Sequence, residues 1–394
     1  MSDITVVGGG LAGLVAAITA AEAGAGVRLY ESHGTLGGRA RSLDGSYVAN
    51  DGTRVFYADG PHWAWLQERG LAGPAAQLGL AEFRRSAFRY GGGMVKVPPM
   101  ALLRAAARRR LRAPVDRDFH GWACEHFGER SARAVEAFLG VVTYDADPGR
   151  LSAAFAWERF LRVTTPGLPL PRYVIGGWQS VVDRLAAHAT RLGVRIEVGT
   201  RVDTLPEPPV VIATQLVSAR QLLGDDDLAW ESGHSALLDV GLVADRKDPF
   251  LVWDLDEGGF VERYSSPDPS LAPPGHSLVQ AQLPVRPGER NADAHARLER
   301  LFDQAYAGWR ERTTWRRDAT ARGRTGALDL PGRTWRDRPA VDRGDGVFVA
   351  GDQMAAPGLL SEVSFTSAVE AARGAAALVV STPGARPRAP RSAR

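Results

Sequence analysis

The chain has 394 residues, 44% of them hydrophobic, enough to bury a large core and to form two domains. Lys plus Arg number 48 against 45 Asp plus Glu, and the acids are interleaved with the arginines almost throughout, which excludes a nucleic-acid-binding footprint as the leading reading. A single cysteine, Cys124, rules out an internal disulfide and any cysteine-rich metal site. No basic leader precedes the first strand and no stretch reaches the roughly 18 apolar residues of a membrane span, so a cytoplasmic protein is the expectation.

Residues 3–8 (DITVVG) read as a buried strand, 12–23 as an Ala-rich helix and 26–31 (GVRLYE) as a second, parallel strand. Gly8, Gly10 and Gly13 fall at the strand–helix junction as G-x-G-x-x-G, with Leu11 and Ala12 opening the helix. The chemistry needs a tight turn at Gly8, backbone approach to a pyrophosphate at Gly10, close helix packing at Gly13, and a helix N-terminus facing the anion. The bland alternative is an ordinary tight turn. Glu31 ends the second strand 18 residues after Gly13, near the spacing of the acid that accepts a ribose hydroxyl. A carboxylate there repels a 2′-phosphate, which points to FAD or NAD rather than NADP. The next stretch, GTLGGRARS (34–42), sets Gly37, Gly38 and Arg39 where amides and a guanidinium can meet the diphosphate.

From about residue 59 to 170 the pattern is helical and polar. Within it MALLRAAARRRLRA (100–113) places Leu103, Ala107 and Leu111 on one stripe beside Arg104, Arg108 and Arg112: a cap helix with a solvated basic face, or a weak membrane-surface contact. The eight histidines form no metal-ligand cluster. His120 and Cys124 are helix-spaced, but two ligands do not make a site, so no metal is expected. Residues 171–202 return to α/β grammar with a Gly-Gly turn, a helix through 179–192 and a strand at 194–199; PPVVIAT (208–214) adds another buried strand. Strand-like runs fill 234–285, a charged helix follows at about 291–312, and GVFVAGD leads into a final helix beginning near Ser364, Phe365 and Thr366. The Arg- and Pro-rich end, 381–394, reads as a disordered tail.

These motifs together resemble the flavin-containing amine oxidase and phytoene desaturase superfamily, whose second signature is a Gly-Gly-Arg after the ribose-binding acid. NDGTRVFYADGPHWAWLQERGL is similar to the segment that passes the flavin ring and enters the substrate domain, and VVIATQ is similar to the strand closing the nucleotide domain. The closer likeness is to desaturase-like bacterial oxidoreductases: SALLDVGLV (235–243) has no lysine where amine oxidases usually place one, and Lys247 lies beyond it.

The resemblance implies an α/β chain. A Rossmann-like FAD-binding domain is split over 1–58, 171–230 and 326–380, and an α+β substrate domain is formed by the insertions 59–170 and 231–325. It implies noncovalent FAD, with Gly52, Thr53 and Arg54 beside the flavin, the backbone of Val202 at the adenine, Gly351 and Asp352 at the ribityl chain, and Ser364, Phe365 and Thr366 presenting a positive helix end to flavin N1 and O2. Arg54, Tyr57, Trp253 and Tyr264, with His62, Trp63 and Trp65 in neighbouring segments, are the expected pocket residues. The implied reaction passes a hydride from a C–H bond of a small, apolar or conjugated metabolite to flavin N5. Isomerisation on bound FAD, and lipid binding on the same fold without catalysis, are the alternatives. Substrate, electron acceptor and oligomeric state are left open by the sequence.

Overall fold

The computed structural model describes residues 3–51, 55–164 and 171–380. The expected residues Gly52, Thr53 and Arg54 and the tail from 381 lie outside the described residues.

Five short strands form one wholly parallel sheet in the order Val347–Val349, Val210–Ile212, Ile4–Val7, Val27–Tyr30, Arg195–Glu197. Its central strands are runs of β-branched and apolar residues because both faces are covered, which removes the alternation a half-exposed strand would show. The helices Leu11–Glu22, Gln179–Arg191 and Ser361–Val380 pack around it. Gly8, Glu31, Ala213 and Gly351 each follow a strand of this sheet, so all four come to its carboxyl edge, where a ligand of an open parallel sheet sits.

A second sheet has seven strands, ordered Thr313–Arg322, His234–Val243, His276–Pro284, Gly259–Glu262, Leu251–Asp254, Ala87–Tyr90, Gly93–Val95. All its pairings are antiparallel except that of Leu251–Asp254 with Ala87–Tyr90. The helix Asn291–Ala305 covers one face of it. The helices Phe119–Phe127, Glu129–Thr143 and Ala153–Thr164 share a separate aromatic core around Trp122, Phe138, Trp157 and Phe160.

Several elements depart from the sequence reading. The stretch 59–170 contains a hairpin, Ala87–Tyr90 with Gly93–Val95, turned by Gly91 and Gly92 at φ 63° and 77°. The helix expected to run through about 112 stops at Ala106, and it buries Ala101, Leu102 and Ala105 while Leu103 is exposed. The helix expected to reach about 312 breaks after Ala305, where Gly308 takes φ 60°. The last helix starts at Ser361, a turn earlier than expected.

A polar joint ties the seven-stranded sheet to the segment at Asn50 and Asp51 and, through Asn50, to the start of the helix Gln179–Arg191. Arg317 donates to Asp239 at 2.7 Å, to Asp51 at 2.9 Å and to the Asn50 carbonyl at 3.2 Å. Gln280 donates to Asp239 at 2.9 Å and to the same carbonyl at 3.1 Å, while the Asn50 side chain accepts from Ser42 at 2.8 Å and from the Trp178 amide at 3.0 Å. Asp239 is wholly buried, so its charge is compensated by Arg317 alone among these partners.

Candidate functional site

One cavity of about 1340 Å³ begins at the carboxyl edge of the parallel sheet and ends among the aromatic side chains of the seven-stranded sheet. It exceeds the roughly 300–1,000 Å³ of an ordinary small-molecule pocket.

At the sheet end the walls are backbone. A Cβ at Gly10 would meet nothing nearer than the Gly37 carbonyl at 3.9 Å, one at Gly351 nothing nearer than the Thr214 carbonyl at 3.9 Å, and one at Gly38 nothing nearer than Gly10 Cα at 3.5 Å. These three glycines keep open a trough that side chains would fill. Gly13 has the opposite duty: a Cβ there would stand 1.8 Å from the Gly8 carbonyl, so it seats the helix on the turn. The helix begins at Leu11 with no side-chain cap and no acid in its first turn, leaving its first amides for an anion. This donor set fits a dinucleotide diphosphate.

Glu31 Oε2 accepts the Gly9 amide at 2.7 Å, and Oε1 accepts the His33 amide at 2.8 Å. Burial opposes the charge of Glu31, but the hydrogen bonds from His33 and Gly9 outweigh it and hold the carboxyl below its ordinary pKa. Arg39 donates to Asp352 at 2.6 Å and to the Arg324 carbonyl. Desolvation of its guanidinium is overcome by Asp352, so Arg39 stays charged. The two residues expected on separate parts of the ligand therefore form one ion pair at the wall.

Gly8, Gly10, Leu11, Ala12, Glu31, Gly37, Gly38, Arg39, Val202, Gly351, Asp352 and Ser364 all line the cavity, as do Tyr57, Trp253 and Tyr264. Three expected ligand residues do not. Gly13 acts only through packing. Phe365 is 1% exposed and turns into the core against Phe56, His62 and Trp65. Thr366 donates to the Pro357 carbonyl at 2.7 Å. The earlier helix start explains both, because residues one turn inside a helix no longer present free amides. Trp63 and Trp65 also fall outside the lining, whereas His62 is part of it.

The end of the cavity at the seven-stranded sheet is rich in aromatic side chains. Phe83, Phe88, Phe138, Phe250 and Phe260 wall it, and Trp253 stacks on Phe138 with centroids 4.5 Å apart. Arg162 and Glu362, two further lining residues, belong to a charged cluster with no sequence signal. Arg162 bonds Asp59 at 2.7 Å and Glu362 at 2.9 Å, and lies 4.9 Å from the Tyr57 ring. Its partners are 103 and 200 residues away, beyond any local pattern. Glu362 also caps the Leu359 amide at 3.0 Å, so the last helix opens on a carboxylate rather than on bare amides. Burial raises the Tyr57 pKa to about 12 and, with Arg162 adding to it, lowers that of His62 to about 3. His62, 3.9 Å from Glu362, is thus a neutral ring and not an ion-pair partner at neutral pH. Tyr173 donates to Glu262 at 2.5 Å, and burial followed by that carboxylate pushes the phenol well above its ordinary pKa.

Residues 6–69 match the family of NAD(P)-binding Rossmann-like domains. No curated protein sequence matches the chain. Among solved structures it is similar to an oxidoreductase from Methanosarcina mazei, at TM-score 0.74 and 14% identity over 94% of this chain and 99% of that one. It is similar also to cyclohexylamine oxidase from Brevibacterium oxydans, at 0.67 and 15% over 96% and 99%. A reduced UDP-galactopyranose mutase aligns at 0.69 and 14% over 97% of each chain. At such identities the likeness is one of fold, and it runs nearly end to end.

Proposed function

We propose that this chain is an FAD-dependent oxidoreductase that takes a hydride or its equivalent from a C–H bond of a small apolar or conjugated metabolite, leaving a C=C or C=N bond. The observation that carries the reading is the continuity of one cavity from a glycine-walled anion trough to an aromatic chamber. Bound noncovalently, the flavin supplies the hydride acceptor at N5.

The chain supplies binding and orientation. Glu31 offers its carboxylate to the ribose, Gly10, Gly37 and Gly38 give the diphosphate backbone access, and the helix from Leu11 faces its charge. Cys124 is absent from the cavity lining, which supports a cofactor held without a thioether. Tyr57, Trp253 and Tyr264 fix the substrate by shape, and the phenylalanine walls exclude water. Tyr57 and Tyr173 remain protonated at neutral pH and act as hydrogen-bond donors, not bases.

The same reading includes a route of entry. Phe83, Lys96, Pro98 and Leu103 line the cavity, and the large apolar side chains of Leu80, Phe83, Met94, Val97, Met100 and Leu103 are all exposed. Lys96, Arg104, Arg108, Arg109, Arg110 and Arg112 surround them in sequence. Apolar side chains ringed by cations suit an anionic lipid surface, from which an apolar substrate can pass directly inward. No described helix is long and apolar enough to cross a membrane.

Purified protein should be yellow and should release FAD on heat denaturation. Substrate added without oxygen should bleach it and yield a product lighter by two hydrogens. Colourless protein that cannot be reconstituted with FAD would sink the reading, and a product of unchanged mass would make the protein an isomerase.

A further inference from the structure

We infer that His120, Cys124 and Glu129 bind one zinc ion at a site separate from the cavity, none of the three being among its lining residues. The helix Phe119–Phe127 is capped by Asp118, which accepts the Gly121 amide at 2.8 Å, and it carries His120 and Cys124 one turn apart on one face. Gly128, at φ 78°, ends that helix and begins the next, so Glu129 folds back over the pair. The sequence shows only two ligands; the turn supplies the third.

The three ligand atoms already stand close to a tetrahedral face. Cys124 Sγ is 3.6 Å from His120 Nε2 and 3.0 Å from Glu129 Oε2, and His120 Nε2 is 3.6 Å from Glu129 Oε2. Ordinary zinc bonds to sulfur, nitrogen and oxygen imply tetrahedral edges of about 3.5, 3.5 and 3.3 Å for the same three pairs. Metal entry needs only that the sulfur–oxygen edge widen by about half an ångström, replacing the thiol proton that bridges it. That proton leaves to solvent.

The surrounding groups favour the same occupant. Glu136 Oε1 takes the Nδ1 hydrogen of His120 at 2.6 Å, which places the lone pair on Nε2. Arg133 donates to Glu129 Oε1 at 2.9 Å and lies 3.6 Å from Glu136 Oε2, so it occupies the oxygen that does not face the sulfur. A thiolate and a carboxylate neutralise a divalent ion, and the thiolate selects zinc over magnesium or calcium. The side chains of His120 and Glu129 are 34% and 62% exposed, so the fourth position opens to water. The ion would clip the end of one helix to the start of the next, a structural role independent of the redox reading.

The test is zinc stoichiometry by elemental analysis of the untagged full chain, stripped with chelator, equilibrated with zinc sulfate and desalted. The expected result is one zinc per chain, with a thiolate-to-metal charge-transfer band when cobalt replaces zinc. Cys124→Ser should abolish the band, and Glu136→Gln should weaken zinc binding about 10- to 100-fold with all three ligands intact. Flavin content and far-ultraviolet circular dichroism should be unchanged in both variants, which separates this site from the cofactor assignment. Less than half an equivalent of zinc in wild type would overturn the proposal, as would equal zinc binding by wild type and Cys124→Ser.

Discussion

Gly10 and Gly13 sit in one motif three residues apart, and the structure predicts that adding the same methyl group to each has opposite consequences. At Gly10 the backbone is ordinary, φ −76°, and the new Cβ finds no protein atom within 3.9 Å, so Gly10→Ala should leave the flavin-free fold within about 0.5 kcal/mol of wild type. The methyl instead enters the trough and blocks approach to the diphosphate. Loss of one charge-assisted backbone hydrogen bond there is worth about 1.5–3 kcal/mol, or roughly 10- to 150-fold in FAD affinity. Gly10→Val should abolish retention. At Gly13 the methyl meets the Gly8 carbonyl at 1.8 Å, which backbone cannot relieve, and overpacking of this kind costs about 3 kcal/mol or more. Gly13→Ala should therefore lower the Tm of flavin-free protein by several degrees or prevent folding. Flavin titration by fluorescence quenching and thermal melts of deflavinated protein read the two effects separately. Undiminished FAD affinity in Gly10→Ala, or an equal Tm loss in both variants, would refute the trough.

Three further outcomes are expected. Glu31 has a folded pKa below its ordinary 4.5, so its contribution is complete above that value and is lost as pH falls through the lower folded one; Glu31→Gln should flatten the acid limb of Tm against pH and release FAD more readily at neutral pH. His62 is depressed from 6.5 to about 3, so stability should fall by up to about 1.4 kcal/mol per pH unit as pH drops below 6.5, and His62→Leu should remove that slope in denaturant melts. Wild-type protein should co-sediment with phosphatidylserine-containing vesicles and not with neutral ones, a difference that Val97→Asp with Met100→Asp, two exposed residues outside the cavity lining, should erase while leaving turnover of a soluble substrate intact; equal binding to both vesicles would count against the lipid-facing mouth.

The nucleotide end of the site was legible because its chemistry is local. Gly8, Gly10, Gly13 and Glu31 lie within 24 residues, and each is fixed by a strand end or a helix start that periodicity reveals. The charged cluster was not legible, because Arg162, Asp59 and Glu362 are joined only by the fold and arginine is common in this chain. The last helix starts three residues before the expected Ser364, and the signal for it is Glu362 reaching back to the Leu359 amide, with Leu360 held at φ 51°. The strand Thr313–Arg322 escaped notice for another reason. Its half-buried positions are Thr313, Trp315, Arg317, Ala319 and Ala321, so the inward face carries no run of large apolar residues, and its stability comes from pairing at an edge and from the ion pair of Arg317.

That ion pair also governs how molecules come and go. Asp239 and Arg317 stand opposite each other on neighbouring strands of one sheet, and removing the cation would leave the buried charge of Asp239 unpaired at a cost of about 3 kcal/mol or more, so Arg317→Met should destabilise the chain by a similar amount in urea melts. Moving this sheet away from the segment at Asn50 and Asp51 would break the bonds of Arg317 to Asp51 and of Arg317 and Gln280 to the Asn50 carbonyl, which makes a clamshell cycle an expensive way to admit a reactant. On the proposed reading, traffic is left to the flank where Phe83, Lys96 and Leu103 line the cavity, and the pace of exchange is then set by side chains turning at a doorway while the walls stand still.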